Sequence, residues 1–397
     1  MDNLRQKFYE KYALVQTKTT RDFINQVDWT NRFIGIKGSR GVGKTTLVLQ
    51  YIKQNYKPNK QVLYVSLDDL YFAENKLYYL AEEFYKKGGQ LLAIDEVHRY
   101  SNWAIELKNI YDDMPNLKVI FTGSSLLHLQ KVKSDLSRRA IIYAMPGLSF
   151  REFLQFETGV KFQKLKLTEL LRNPISYAME VNQMTKPLAL FDQYLNYGYY
   201  PFYKENVAAY HSKLEEVILT VLEIDIPQFA AIQTSNIIYL KKLLTIISKS
   251  VPFKPNMSSL SSRTGISLNT LKVYLKLLNE SNLLRLLYVD DKGINSLNKP
   301  EKIYLYNTNL MFNLGNENVN KGNIRETFFY SQMADYYNVR SSPHGDFLVE
   351  NKYVFEVGGK NKTSKQIQGL KNAFVVKDDI EIGTEKIIPL WLFGFLY

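Results

Sequence analysis

The 397-residue chain contains no cysteine and only four histidines, at positions 98, 128, 211 and 344. Without thiols it has no disulfide, no thiolate metal site and no thiol nucleophile. No two histidines stand at helical or finger-like ligand spacing, so a structural metal is not expected. Long hydrophobic runs are missing too. No stretch approaches the ~18 apolar residues of a membrane span, and Met1 to Tyr9 lacks the apolar core of a signal segment. A cytoplasmic protein with no membrane span is expected. The greasiest segment, Ile387 to Tyr397, is too short to span and includes Pro389 and Gly394. It reads as a terminal buried strand, whose partial exposure would offer a contact to another subunit.

Acidic residues are outnumbered, with 51 Lys and Arg against 39 Asp and Glu and a net charge of +12. This balance favours polyanionic partners, DNA or another nucleic acid among them, although basic charge also serves plain solubility. The basic residues are spread along the chain rather than held in one tract, so a protein client stays open. The length allows two or three domains, and 45% hydrophobic content is ordinary for a packed core.

The most informative run is Gly38-Ser39-Arg40-Gly41-Val42-Gly43-Lys44-Thr45, which fits the phosphate-loop pattern G-x-x-x-x-G-K-[ST] at every defined position. Phe33 to Lys37 reads as a buried strand entering the loop, and Thr46 onward, with Leu47, Val48, Tyr51 and Ile52, as the helix leaving it. The glycines allow consecutive amides to point at phosphate oxygens, and the helix N-terminus adds partial positive charge. Lys44 would reach the β- and γ-phosphates and the Thr45 hydroxyl would ligate Mg²⁺. The expected ligands are therefore ATP and Mg²⁺, held by Gly38 through Thr46.

A second run, Leu91-Leu92-Ala93-Ile94-Asp95-Glu96, is a buried strand with two acids at its C-terminal end, where open α/β sheets place ligands. Asp95 is the candidate metal ligand and Glu96 the candidate base for the lytic water. A third strand, Leu117 to Thr122, ends in Thr122-Gly123-Ser124-Ser125. Ser124 either senses the γ-phosphate or, with Ser125, caps the following helix; both roles can coexist. Ser137-Arg138-Arg139 precedes the strand Ala140 to Tyr143. Arg138 and Arg139 are either solvated or stabilise charge on the transferring phosphoryl group, in cis or from a neighbouring subunit. A role in trans requires a homo-oligomer.

Together with Leu148-Ser149-Phe150-Arg151-Glu152-Phe153-Leu154, these motifs resemble the prokaryotic AAA-type P-loop ATPases, archaeal-ATPase-like, with a C-terminal domain of unknown function. The resemblance extends over nearly the whole chain and includes Tyr197-Gly198-Tyr199-Tyr200-Pro201-Phe202. It implies a core sheet in which the Thr122 strand lies between the phosphate-loop strand and the Asp95 strand. Adenine over guanine follows from the resemblance alone.

The fold expected is α/β, with a parallel-sheet P-loop core at 1–146, a helical lid at 147–233, a winged helix-turn-helix at 234–300 and a restriction-endonuclease-like domain at 301–397. Residues from Arg151 to about Gln233 carry apolar side chains at helical spacing. Ser258 to Arg263 and a helix capped by Ser267 flank a turn at Gly265. Leu271, Tyr274, Leu275 and Leu278 form the second helix's inner stripe. Asn269, Thr270, Lys272, Lys276 and Asn279 would face out as candidate DNA contacts, and Leu283 to Val289 would supply the wing. The last portion resembles the PD-(D/E)xK nuclease-like fold, with Glu326, Asp346 and Glu356 as its acids. Gly358 stands where that pattern has lysine, and Lys360 lies two residues further, so a degenerate site is expected. The functional expectation is an Mg-dependent ATPase coupled to a nucleic-acid or protein partner. A nucleotide-gated interaction switch and an ATP-powered nuclease are the alternatives.

Overall fold

Short apolar runs become strands, and all but the edge strand Ile141–Ala144 are buried. Phe33–Lys37 (β1), Val62–Ser66 (β2), Leu91–Asp95 (β3), Lys118–Gly123 (β4) and Ile141–Ala144 (β5) form one sheet in the order β2-β3-β4-β1-β5. Every neighbouring pair is parallel, as continuous rather than alternating apolar runs require. Strand β4 lies between β1 and β3, the order implied by the resemblance.

The computed structural model describes residues 1–128, 136, 138–230, 232–289, 299–315 and 319–397; Ser137 lies outside the described residues. Two units are formed, Met1–Gly147 and Leu148–Tyr397. In the first, helices Asp2–Leu14 (α1), Lys44–Asn55 (α2), Tyr71–Glu74 (α3), Leu77–Lys86 (α4) and Trp103–Asp113 (α5) accompany the sheet. Helix α4 shows the sequence logic: Leu77, Leu80, Ala81 and Phe84 recur on one face and are all buried. Each large side chain buried this way contributes roughly 1.5–3 kcal/mol.

The second unit begins with Phe150–Thr158 (α6), started by a full capping box in which Ser149 and Glu152 satisfy each other's backbone amides. Arg151 is fully buried and donates to the carbonyls of Tyr397 and Phe162 at 3.1 Å each. Phe150 packs edge-on against Phe191, Tyr194 and Trp391. The Ser149 to Phe153 segment is thus a packing element.

Further helices follow: Leu167–Arg172 (α7), Pro174–Met184 (α8), Pro187–Tyr197 (α9), Tyr210–Thr220 (α10), Ile226–Ala230 (α11) and Ile237–Ser248 (α12). Met257–Thr264 (α13) ends at Gly265, whose φ of +78° suits glycine, and Leu268–Glu280 (α14) is capped by the Ser267 side chain. Strands Leu284–Leu287 (β6) and Lys302–Leu305 (β7) pair antiparallel. The boundary expected at residue 300 therefore falls inside a strand pair, and Ile303 to Leu305 belong with β6.

The chain closes with Thr308–Leu314 (α15), Lys321–Met333 (α16) and the strands Val339–Ser341 (β8), Phe347–Val349 (β9), Tyr353–Gly358 (β10), Ala373–Lys377 (β11) and Ile387–Pro389 (β12). These form a mixed sheet ordered β12-β11-β10-β9-β8, parallel from β10 to β12 and antiparallel from β8 to β10. The terminal segment is not one strand. Pairing stops at Pro389, and Leu390–Phe395 coils into a fully buried 3₁₀ turn. Its burial within the unit removes the expected exposed contact for another subunit.

Candidate functional site

Gly41 and Gly43 give the phosphate loop its shape, with φ of +83° and +94° that a side chain would strain. Gly38 is small for another reason: a Cβ there would lie 2.4 Å from the Met145 carbonyl oxygen. Arg21, 5% exposed, donates to the carbonyls of Val42, Pro146 and Gly147 at 3.1, 2.7 and 2.6 Å. It ties the loop to the exit of β5. Lys44 Nζ donates to the Gly38 and Ser39 carbonyls at 2.9 Å each, so the ammonium already stands in the loop. Thr46 is exposed on the first turn of α2.

Asp95 is buried and held from two strands and one helix at once. Its Oδ2 accepts from Thr45 Oγ1 at 2.6 Å and from the Tyr64 hydroxyl at 2.7 Å, and its Oδ1 contacts the Thr122 hydroxyl. Tyr64 and Thr122 come from β2 and β4, the two strands flanking β3. Burial first, and then the Asp95 carboxylate, hold the Tyr64 phenol well above its ordinary range, so it remains a donor. The Thr45 and Asp95 oxygens fit Mg²⁺, which takes one or two protein oxygens and otherwise keeps waters and substrate phosphates. Among the described residues no group of three or more His, Cys, Asp or Glu side chains is arranged to hold a metal.

Glu96 adopts left-handed backbone at φ +54°. Its amide donates to Thr122 Oγ1 at 3.3 Å, and its Oε2 lies 3.3 Å from His98 Nε2 and 4.0 Å from Arg40 Nη2. Ser124 Oγ accepts from the Leu126 amide at 3.4 Å, which fills the capping role. A polar cavity of about 680 Å³ opens beside these groups, lined by Thr45, Asp95, Glu96, Arg40, Asp68 and Lys11.

Arg138 and Arg139 are not brought to this site. They precede β5, which runs parallel to β1 with Ile141 opposite Ile34 and Ala144 opposite Lys37. The arginines therefore stand at the sheet edge opposite the loop, and Arg139 donates to the Asp112 carboxylate at 2.9 and 3.0 Å. A role in cis is excluded by this placement.

In the second unit, Asn269, Lys272 and Lys276 are exposed on α14. Thr270 is partly covered and bonded to Ser267 at 2.9 Å. Asn279 does not face out: its Oδ1 accepts from the Leu286 amide at 3.1 Å. Glu326 and Asp346 lie 3.1 and 3.8 Å from Lys302 Nζ. Buried Glu356 contacts Lys362 rather than Lys360. The reason is a turn at Gly359, whose carbonyl accepts from the Lys362 amide at 2.9 Å. The chain doubles back, and the Lys362 stem lies where a Cβ on Gly358 would come within 2.6 Å of it. Lys360 is left exposed, its carbonyl accepting from Lys377 Nζ at 3.1 Å. The three acids are thus balanced by two ammonium groups.

Residues 30–154 match the family model described as an AAA domain, and residues 188–320 match a domain of unknown function. Nearly all of the first match lies in the first unit. With its phosphate loop and parallel sheet, that unit is an α/β P-loop fold, and its site is of the ATP-binding, ATPase kind. An uncharacterized protein of Methanocaldococcus jannaschii is 26% identical over 380 residues, covering 88% of this chain and 80% of its own. AMPPCP-bound DnaA of Aquifex aeolicus is similar at 17% identity, over 65% of this chain and 85% of that one, with a TM-score of 0.28. PCH-2 of C. elegans is similar at 17% identity, over 44% and 49% of the two chains, with a TM-score of 0.26. The second family model starts in α9 and stops before α16, so it takes in the helical region, the α13–α14 pair and the β6–β7 strands. No helix among the described residues is long and apolar enough to cross a membrane.

Three side chains of the site, Arg21, Tyr64 and His98, escaped sequence reasoning. Each acts on a residue remote in sequence or through the strand order, and none belongs to a motif.

Proposed function

We propose that the chain binds MgATP at the phosphate loop and hydrolyses it with Glu96 as the base. The observation that carries this is the convergence of Thr45, Asp95 and Glu96 on one side of a loop that already holds the Lys44 ammonium. The loop amides and Lys44 would take the β- and γ-phosphates, with Ser39, Arg40 and Thr46 at the edge. Thr45 and Asp95 would hold Mg²⁺, which supplies charge compensation on the phosphates when bound. Asp95 stays fixed by Tyr64 and Thr122 while doing so. Glu96 orients the water and accepts its proton, since phosphoryl transfer needs positioning and charge balance more than covalent help. Ser124, at the end of β4, would sense the terminal phosphate. Arg138, which is exposed, would complete a neighbour's site in a homo-oligomer.

The second unit is the proposed output, with a helical lid and, in α13, α14 and β6–β7, a winged-helix-like module. Its partner is a nucleic acid, supported by the +12 charge and by Asn269, Lys272 and Lys276 on one exposed face. A cytoplasmic setting goes with this reading. Metal-dependent cleavage by the C-terminal acids receives no comparable support, because Lys302 and Lys362 already stand among them.

Equilibrium binding of a fluorescent ATP analogue tests the binding half. Lys44→Ala should weaken it by about tenfold or more, the loss of a charge-assisted contact worth ~1.5–3 kcal/mol. Unchanged affinity in Lys44→Ala would remove the loop from the mechanism.

A further inference from the structure

One buried histidine touches both the assigned base and the end of β4. His98, 4% exposed, lies in the 3₁₀ turn Val97–Arg99 that follows Glu96. The turn closes through the Arg99 amide, which donates to the Glu96 carbonyl at 2.9 Å. Together with the left-handed backbone at Glu96, this folds the imidazole back toward the carboxylate that precedes it. His98 Nδ1 accepts from the Ser124 amide at 3.3 Å. The neutral ring then carries its proton on Nε2. That nitrogen stands 3.3 Å from Glu96 Oε2, in ion-pair range although short of an aligned hydrogen bond. Catalytic contacts of this kind commonly align only once substrate is bound.

We propose that His98 is a positioning residue that couples the end of β4 to the Glu96 carboxylate. The inference rests on Glu96 being the base. A planar ring transmits displacement from one nitrogen to the other with little slack. Movement of the Ser124 amide, where the terminal phosphate would be sensed, therefore shifts the donor facing Oε2. Among the described residues, His98 at 3.3 Å and Arg40 at 4.0 Å stand beside the carboxylate. His98 is the buried one and belongs to a closed turn. It can fix the direction of the carboxylate lone pair that receives the water's proton, and it makes that direction depend on the γ-phosphate. The coupled pair would give hydrolysis only when the sensor end of β4 is occupied, which is regulation by the substrate's own terminal phosphate.

The test uses the full chain and three substitutions compared in ATP turnover and ATP binding. Gln at 98 brings an amide nitrogen to the Nε2 position, whereas Asn reaches only the Nδ1 position. His98→Ala and His98→Asn should lower kcat about 10- to 100-fold, the range expected when a catalytic group is misdirected by about an ångström. KM for ATP should stay unchanged, and His98→Gln, which returns a donor facing Glu96 but offers the Ser124 amide no acceptor at the Nδ1 position, should recover part of the loss and not all of it. Full recovery in His98→Gln, equal kcat in the Asn and Gln variants, a KM that moves with kcat, or wild-type turnover in His98→Ala would each overturn the coupling. If His98→Ala fails to fold, the Asn and Gln pair decides alone. Glu96→Gln runs alongside. Were it as active as wild type, the base assignment would fall, whereas a dead Glu96→Gln beside a fully active His98→Ala would overturn the coupling only.

Discussion

Glu96 carries a side chain in backbone that L-residues avoid, φ +54° and ψ +41°, because Cβ crowds the following carbonyl there. The site holds it in place through the Thr122 hydroxyl on its amide and the Arg99 amide on its carbonyl. The cost is a property of the residue and separates from its chemistry. Glu96→Gly should be more stable than Glu96→Ala by about 1 kcal/mol, the reverse of the ordinary order, and both should be inactive. Denaturant midpoints of the two variants check this; an Ala variant more stable than the Gly variant would mean that the left-handed backbone is not kept. Asp95, Glu96, Lys44 and Thr45 were legible because phosphate chemistry dictates residue types at short fixed spacing. Tyr64 was not, since a tyrosine in an apolar strand looks like core. Its role appears only when β2 and β4 are seen to flank β3.

Among elements, β1, β3, β4 and β5 were readable because each is a bounded apolar run. Phe33 to Lys37 matches its strand residue for residue. Turns that reverse the chain were less so. The sequence pattern nominated Lys360 by continuing the strand past Gly358, but β10 ends there and Gly359 sends the chain back. Side-chain alternation has no meaning beyond a strand's last residue. Glu356 is 1% exposed and its carboxyl is raised above its usual range, by burial before any other cause. Lys362→Met should therefore cost about 2 kcal/mol or more by leaving that carboxylate buried without its cation, while Lys360→Met should cost close to nothing. Equal effects in thermal or denaturant unfolding would contradict the assignment of Lys362. Asn279 teaches the same lesson. It lies outside the buried stripe of α14, yet β6 returns along that helix and its Leu286 backbone amide donates to the Asn279 side-chain oxygen.

At the scale of the whole molecule, composition set limits and little more. The absence of cysteine excluded thiol chemistry, and the +12 charge suits a polyanionic partner and plain solubility alike. The match to an AAA domain falls mostly in the first unit, and the larger second unit carries segments whose chemistry is not written in short motifs. Coupling between ATP and a nucleic-acid partner should show as turnover that rises with DNA and loses the increase at higher salt, since phosphate contacts weaken as counterions compete. The central claim is narrower and comes first. It is tested most directly by steady-state phosphate release from MgATP, wild type beside Glu96→Gln, with ATP binding measured on the same samples. The account predicts binding in both and turnover lower by about 10²-fold or more in the variant, the contribution of a positioned general base. Equal turnover in the two proteins would contradict it.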